Sequence, residues 1–175
     1  MQGAVKRARY PASIRFRGVF NARIGDLFEE LNRDLPDVFH FSGKQNGGDI
    51  LMRTDDGSLT AVSDMALAGM FRSLDRGLRL VIIDTCYSLR CATTIARAVP
   101  CTLGVEGSPY EDQTVDFYKT FYQAVASGRS IQDAVAKAQT AMQFAKVSGP
   151  RIPQLRCQSG VDPASIILAA PKRGR

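Results

Sequence analysis

Short apolar runs alternate along the chain with amphipathic stretches, and the two periods can be told apart. From Ser13 to Phe20 (SIRFRGVF), Ile14, Phe16 and Phe20 alternate with polar neighbours, which predicts a strand near a sheet edge. Asn21 is then placed to cap a helix whose Ile24, Leu27, Phe28 and Leu31 follow i, i+3, i+4, i+7 spacing, ending before Pro36. The runs 37–42 (DVFHFS) and 78–85 (LRLVIIDT) are rich in β-branched and aromatic residues, as strands covered on both faces tend to be. They are the expected central strands. Between them the sequence predicts a Gly-rich loop (Gly43, Gly47, Gly48) and a hairpin around Asp55-Asp56-Gly57. A helix follows from about Ser63, with Met65, Ala68, Phe71 and Leu74 turned inward.

Past Thr85 the pattern gives a helix from about Ser88 to Ala98, a strand at Cys101–Val105, and a helix from about Glu111 to Ala126. The apolar side of that last helix is read as Val115, Tyr118, Phe121, Tyr122 and Val125. Ser130 with Asp133 three residues on resembles a capping box, and opens a helix carrying Ile131, Ala134, Val135, Ala138 and Met142. The closing PQLRC and SIIL runs read as further strands. Strands alternating with helices predict a single α/β domain, doubly wound, with a mostly parallel sheet and helices on both faces. In such sheets the reactive groups gather at the carboxyl ends of the strands. Here that rule selects Ser42-Gly43-Lys44 and Asp84-Thr85-Cys86-Tyr87-Ser88, two loops expected to face one crevice.

Composition narrows the classes. The chain has 175 residues, of which 45% are hydrophobic, enough for a core of one ordinary domain. It has no run of eighteen apolar residues and no secretory leader pattern, so the expected setting is the cytoplasm, without a membrane. The four cysteines (Cys86, Cys91, Cys101, Cys157) match no secreted disulfide framework and are read as reduced thiols. With no C-x-x-C pair, and with His40 as the one histidine, neither a metal nor another cofactor is implied.

The net charge of +6 is concentrated at the ends: Lys6, Arg7, Arg9, Arg15 and Arg17 at the start, Lys172, Arg173 and Arg175 at the finish. Those eight aside, basic residues no longer outnumber acidic ones. No aromatic residues are interleaved with them as a stacking platform would require, which argues for solvated termini and against a nucleic-acid partner.

Four segments in order, DVFHFSGKQNGG, LVIIDTCYS, CTLGVEG and VDFYKTFYQAVASGRSIQDAVAKAQ, resemble the CHAT family of caspase-like domains, named for their occurrence with tetratricopeptide repeats. The likeness runs from about Ala8 to Leu168. It implies kinship with caspases, metacaspases, gingipains and separases, a caspase-like fold and, in active members, endopeptidase activity through a Cys/His dyad. The nucleophile of the family's A-C-Y-S segment falls on Cys86. The dyad histidine of its S-G-H-G segment falls on Lys44, and the glycine after it on Gln45. His40 matches the family's upstream histidine. Asp84 stands where related peptidases carry an aspartate that recognises basic residues, and Gly43 and Ser88 flank the same crevice as substrate-binding candidates.

The departure at Lys44 bears on mechanism. A cysteine peptidase needs a base for the thiol proton and an acid for the leaving amine, and imidazole does both near neutrality. An ordinary lysine, with a pKa of about 10.4, is neutral in about one molecule in a few thousand at pH 7, although as a cation Lys44 is expected to favour the Cys86 thiolate. Loss of the following glycine also threatens the oxyanion hole. His40, on the same strand face as Val38 and Ser42, reads as a packed core histidine and only a weak substitute base.

The resemblance also implies an N-terminally incomplete sheet: the chain opens in what reads as the tail of the family's first helix (5–10), so the first strand is missing. Three expectations follow: another chain supplies it, the sheet contracts around the gap, or the sequence is a truncated form of a longer gene product. The expected function is a catalytically impaired caspase-like module that regulates or binds a protein or peptide partner. The alternative is an active cysteine endopeptidase cleaving after basic residues, and Asp84 is equally readable as a strand-end acid that bonds loop amides.

Overall fold

A strand survives only where a neighbour takes its backbone N–H and C=O groups, and that requirement sorts the predicted strands in the computed structural model. The structure describes residues 2–74, 77–108, 111–147 and 149–170. The basic tail of residues 171–175 lies outside them. Helices α1 (Gln2–Val5), α2 (Ile24–Arg33), α3 (Asp64–Ser73), α4 (Leu89–Ile95), α5 (Glu111–Ala126) and α6 (Ile131–Phe144) intersperse with strands β1 (Val38–Ser42), β2 (Gln45–Asn46), β3 (Asp49–Arg53), β4 (Leu59–Val62), β5 (Leu80–Asp84), β6 (Cys101–Gly104) and β7 (Gln154–Cys157). The chain is α/β and divides into two compact units.

The larger unit (residues 18–108 and 153–161) holds a mixed four-stranded sheet in the order β1-β5-β6-β7. The β1–β5 and β5–β6 pairs are parallel and β6–β7 is antiparallel. Leu80, Val81, Ile82 and Ile83 of β5 are at most 1% exposed, as a strand covered on both faces requires. Val81 and Ile83 join Leu27 and Leu31 of α2, Leu67 and Phe71 of α3, and Cys91 and Ile95 of α4 in one core, with Ile50 and Met52 of β3. Burying each such side chain stabilises the fold by about 1.5–3 kcal/mol. The predicted Gly-rich loop after β1 is itself structured: β2 and β3 form a hairpin around Gly47 (φ 60°) and Gly48 (φ 97°), and β4 completes a second, antiparallel sheet. Two consecutive residues at positive φ are what a two-residue hairpin loop demands, so Gly-Gly fits there without strain.

The smaller unit (residues 1–17, 109–152 and 162–175) is organised around α5 and α6. Phe117 and Phe121 stack in its interior with centroids 6.4 Å apart. Ser130 caps α6 by accepting from the Asp133 N–H, as the sequence predicted, and Ile131, Ala134, Val135, Ala138 and Met142 are all buried. The segments around Tyr10 and Ile166 are tied here: Tyr10 N–H donates to Ala126 C=O, and Ile131 N–H to Ile166 C=O.

Several expectations are corrected. Residues 13–20 form no strand; Pro11–Ser13 is a 3₁₀ turn, and the following stretch has no ladder partner. β1 is the end strand of the sheet, Phe16 packs edge-on against Tyr122 instead, and Phe20 is 91% exposed. Residues 5–10 are not the tail of a long helix, because α1 ends at Val5. The cap of α2 is Arg23, whose N–H bonds Asp26, while Asn21 takes the left-handed turn before it (φ 52°), a conformation Asn tolerates. SIIL contributes one isolated bridge, Ser130 to Ile167, rather than a strand. Phe28, Met65 and Val115 are exposed, and Leu67 and Phe117 take the inward places in α3 and α5.

Candidate functional site

Parallel pairing brings the two predicted loops together. Ser42 is opposite Asp84 in the β1–β5 register, so the chain leaves both strands side by side at their carboxyl ends. The Gly43 N–H donates to Asp84 C=O at 3.3 Å, which ties the loops at their roots. Gly43 lies close under the Phe41 ring, which an added Cβ would approach to 2.7 Å and have to displace.

The Cys86 loop is the better defined of the two. Ser88 is completely buried; its Oγ donates to Ile83 C=O at 2.7 Å and accepts from Val105 N–H at 3.1 Å, joining the end of β5 to the end of β6. This leaves the Ser88 side chain shaping the loop from inside. Gly104 presses against the same turn, where an added Cβ would come within 2.8 Å of the Ser88 carbonyl oxygen. Tyr87 is held at φ 53°, uncommon for a residue with a large side chain, and its N–H donates to Gly107 C=O at 2.8 Å. Backbone strain of this kind persists only where surrounding bonds over-determine it. The consequence is that Cys86 stands exposed at the apex, its Sγ 3.1 Å from Ser108 Oγ. Ser88→Ala strands the Val105 amide in a buried place and is expected to cost about 2–3 kcal/mol, read as a lowered urea midpoint at unchanged m value.

Lys44 is exposed on the neighbouring loop, where its C=O accepts from Leu51 N–H at 2.9 Å. Among the described contacts none joins its side chain to Cys86; the polar partner of the thiol is Ser108. His40 lies in β1 with its side chain 12% exposed, and its Nε2 is 3.8 Å from Asp84 Oδ2, close enough for an ion pair if the ring is protonated. Asp84 therefore has a neighbour inside the sheet, and its carboxylate is 19% exposed at the strand end. Three predicted residues, Asp84, Cys86 and Ser88, share one turn; Gly43 and Lys44 adjoin it, and His40 lies deeper in the sheet.

Two participants escaped the sequence reading. Ser108 follows Gly107 in the loop past β6, and the strand-end rule that selected the other two loops covers this third one equally. Arg90, four residues after Cys86, reaches the Gly47 carbonyl at 3.3 Å, Asp64 at 3.5 Å and Asp49 at 3.8 Å, clamping the β2–β3 hairpin beside α4. No periodicity marks an arginine for that work. Among the described residues no three His, Cys, Asp or Glu side chains gather as a metal site, and no helix is long and apolar enough to cross a membrane. No protein-family model matches the chain, and no curated protein matches it in sequence.

Proposed function

We propose that the chain is a CHAT-type, caspase-like module in which Cys86 persists as a thiol nucleophile without an imidazole partner, and that it serves as a regulatory or interaction domain for a protein or peptide segment. The observation that carries this reading is the pairing of Ser42 with Asp84, which sets Lys44 on the loop beside an exposed cysteine at a strained strand-end turn. A thiol presented at the carboxyl end of a parallel strand, with a hydroxyl at 3.1 Å, suits attack on a carbonyl that approaches along the rim. Among the described contacts the thiol meets no group that can take its proton and return it to a leaving amine; Ser108 can exchange a hydrogen bond but is no base at neutral pH. Asp84 at the same rim favours a basic residue in the bound segment. β1 stands at the end of the strand order, the position from which a strand of another chain would continue the ladder and complete the sheet expected from the resemblance.

The deciding experiment is peptide cleavage by the wild type against Cys86→Ala, using substrates with Arg or Lys before the scissile bond. The expected result is no turnover above the variant. Wild-type cleavage that disappears in Cys86→Ala would replace this reading with an active endopeptidase, and cleavage after Asp or an apolar residue would remove Asp84 from the specificity pocket.

A further inference from the structure

Two cysteines that the candidate site does not use face each other across the β6–β7 ladder. Cys101 is opposite Cys157, and their Sγ atoms are 3.1 Å apart. One step along the ladder, Gln158 N–H donates to Pro100 C=O at 3.0 Å, which makes the Pro100/Gln158 position hydrogen-bonded and the Cys101/Cys157 position the non-hydrogen-bonded kind. Opposed Cα atoms at such positions approach to about 4.5 Å, inside the span of about 4.4–6.8 Å that a disulfide bridges. The backbone is thus already spaced for a bond, and the sulfurs are in contact.

Exposure differs between the two. Cys101 is fully buried on β6, whereas Cys157 is partly exposed on β7, the end strand of the sheet. An oxidant from solvent therefore meets Cys157 first and finds Cys101 behind it.

We propose that Cys101 and Cys157 form a redox-controlled disulfide that fastens β7 to β6, made by exchange with a small-molecule disulfide of the glutathione class. In the first step the Cys157 thiolate attacks one sulfur of that disulfide; its S–S bond breaks, and the released thiolate takes up a proton. In the second, the Cys101 sulfur gives up its proton and attacks the Cys157 sulfur, the bond to the small thiol breaks, and a second thiol leaves. Two protein thiols are oxidised by two electrons, and one small disulfide is reduced to two thiols. Burial and the neighbouring sulfur raise the Cys101 thiol, so reduced Cys101 gains nothing from thiolate character, and an uncharged disulfide suits its buried place better. The inference stands apart from any chemistry at Cys86.

The two residues lie 56 positions apart in the sequence, so the bond closes a long loop in the unfolded chain. Fully reduced protein is incubated with oxidised glutathione at neutral pH and mapped by mass spectrometry without reduction. The expected result is a linked Cys101–Cys157 peptide pair, a Tm higher by about 5–10 °C, and reversal of both by dithiothreitol. The link is expected to persist in Cys86→Ser and to be absent in Cys157→Ser. Glutathione left on Cys157 with Cys101 still reduced, or Cys157 linked to a different cysteine, overturns the proposal. The wild-type map decides the matter even where the Cys157 variant folds poorly.

Discussion

Introducing an imidazole by Lys44→His together with Gln45→Gly is expected to raise cleavage of basic-residue peptides by about 10²–10⁴-fold over wild type, the usual worth of general acid–base catalysis. The expectation follows from which parts of the rim are fixed and which are free. The Gly43–Asp84 bond and the Ser42–Asp84 register hold the two loops together without help from the Lys44 side chain, which is exposed. Exchange at position 44 therefore changes chemistry at little cost in stability. Gln45 is different, because it belongs to β2 and pairs with Ile50; glycine there weakens the hairpin by about 1 kcal/mol or less. Lys44→His alone is the control that keeps β2 intact. A double variant that folds, keeps a reactive Cys86 and still turns over no peptide would show that position 44 is not where a base belongs.

Alkylation by iodoacetamide at neutral pH is expected to reach Cys86 first, Cys157 next, and Cys91 and Cys101 last. Cys86 is exposed at the rim and Cys157 partly so, while Cys91 and Cys101 are buried. Loss of hydration, and then the Asp64 carboxylate, push the Cys91 thiol up to about 12. At pH 7 such a thiol is about 10⁻⁵ ionised, against a few per cent for an ordinary one, so Cys91 is slowed about 10³-fold before access is counted. Site-resolved mass spectrometry over a time course reads the order. Labelling of Cys91 at the pace of Cys86 in folded protein would mean that α4 does not pack as described and that Cys86 holds no privileged position.

Both predictions rest on loops that the sequence located, and the same sequence mislaid other parts for identifiable reasons. The strand runs at β1 and β5 were legible because they are rich in β-branched and aromatic residues, and the ends of those strands point to Lys44 and Cys86 by the carboxyl-end rule. Helix phase was harder. In α3 the buried stripe starts on Asp64, which bonds Thr94 at 3.0 Å, and in α5 it includes Thr114, which is 9% exposed. Counting from the first apolar residue instead selected Met65 and Val115, one position too late, and so missed Leu67 and Phe117. A buried polar residue is invisible to hydrophobic periodicity. The strand read at residues 13–20 failed for another reason: alternation states what a segment can bury, whereas a strand also has to pair its backbone, and this stretch forms no ladder. Arg90 carries no periodic signal at all, and three-dimensional proximity alone reveals it, whereas the strand-end rule reaches Ser108 once β6 is counted with β1 and β5.

The two loops of the rim are held by different means, and this bears on how such a site changes over generations. The Cys86 turn is set by a buried hydroxyl, a glycine with no room for a Cβ and a residue at positive φ, each of which couples to the core. Substitution at Ser88 or Gly104 is thus felt as misfolding before it is felt as altered chemistry. Position 44 carries no such burden, since its backbone makes the bonds that matter locally and its side chain faces solvent. Drift is therefore expected to erase a base at position 44 long before it disturbs the cysteine, and a lineage could lose turnover in one step, keep an intact nucleophile turn, and regain the base as readily as it was lost.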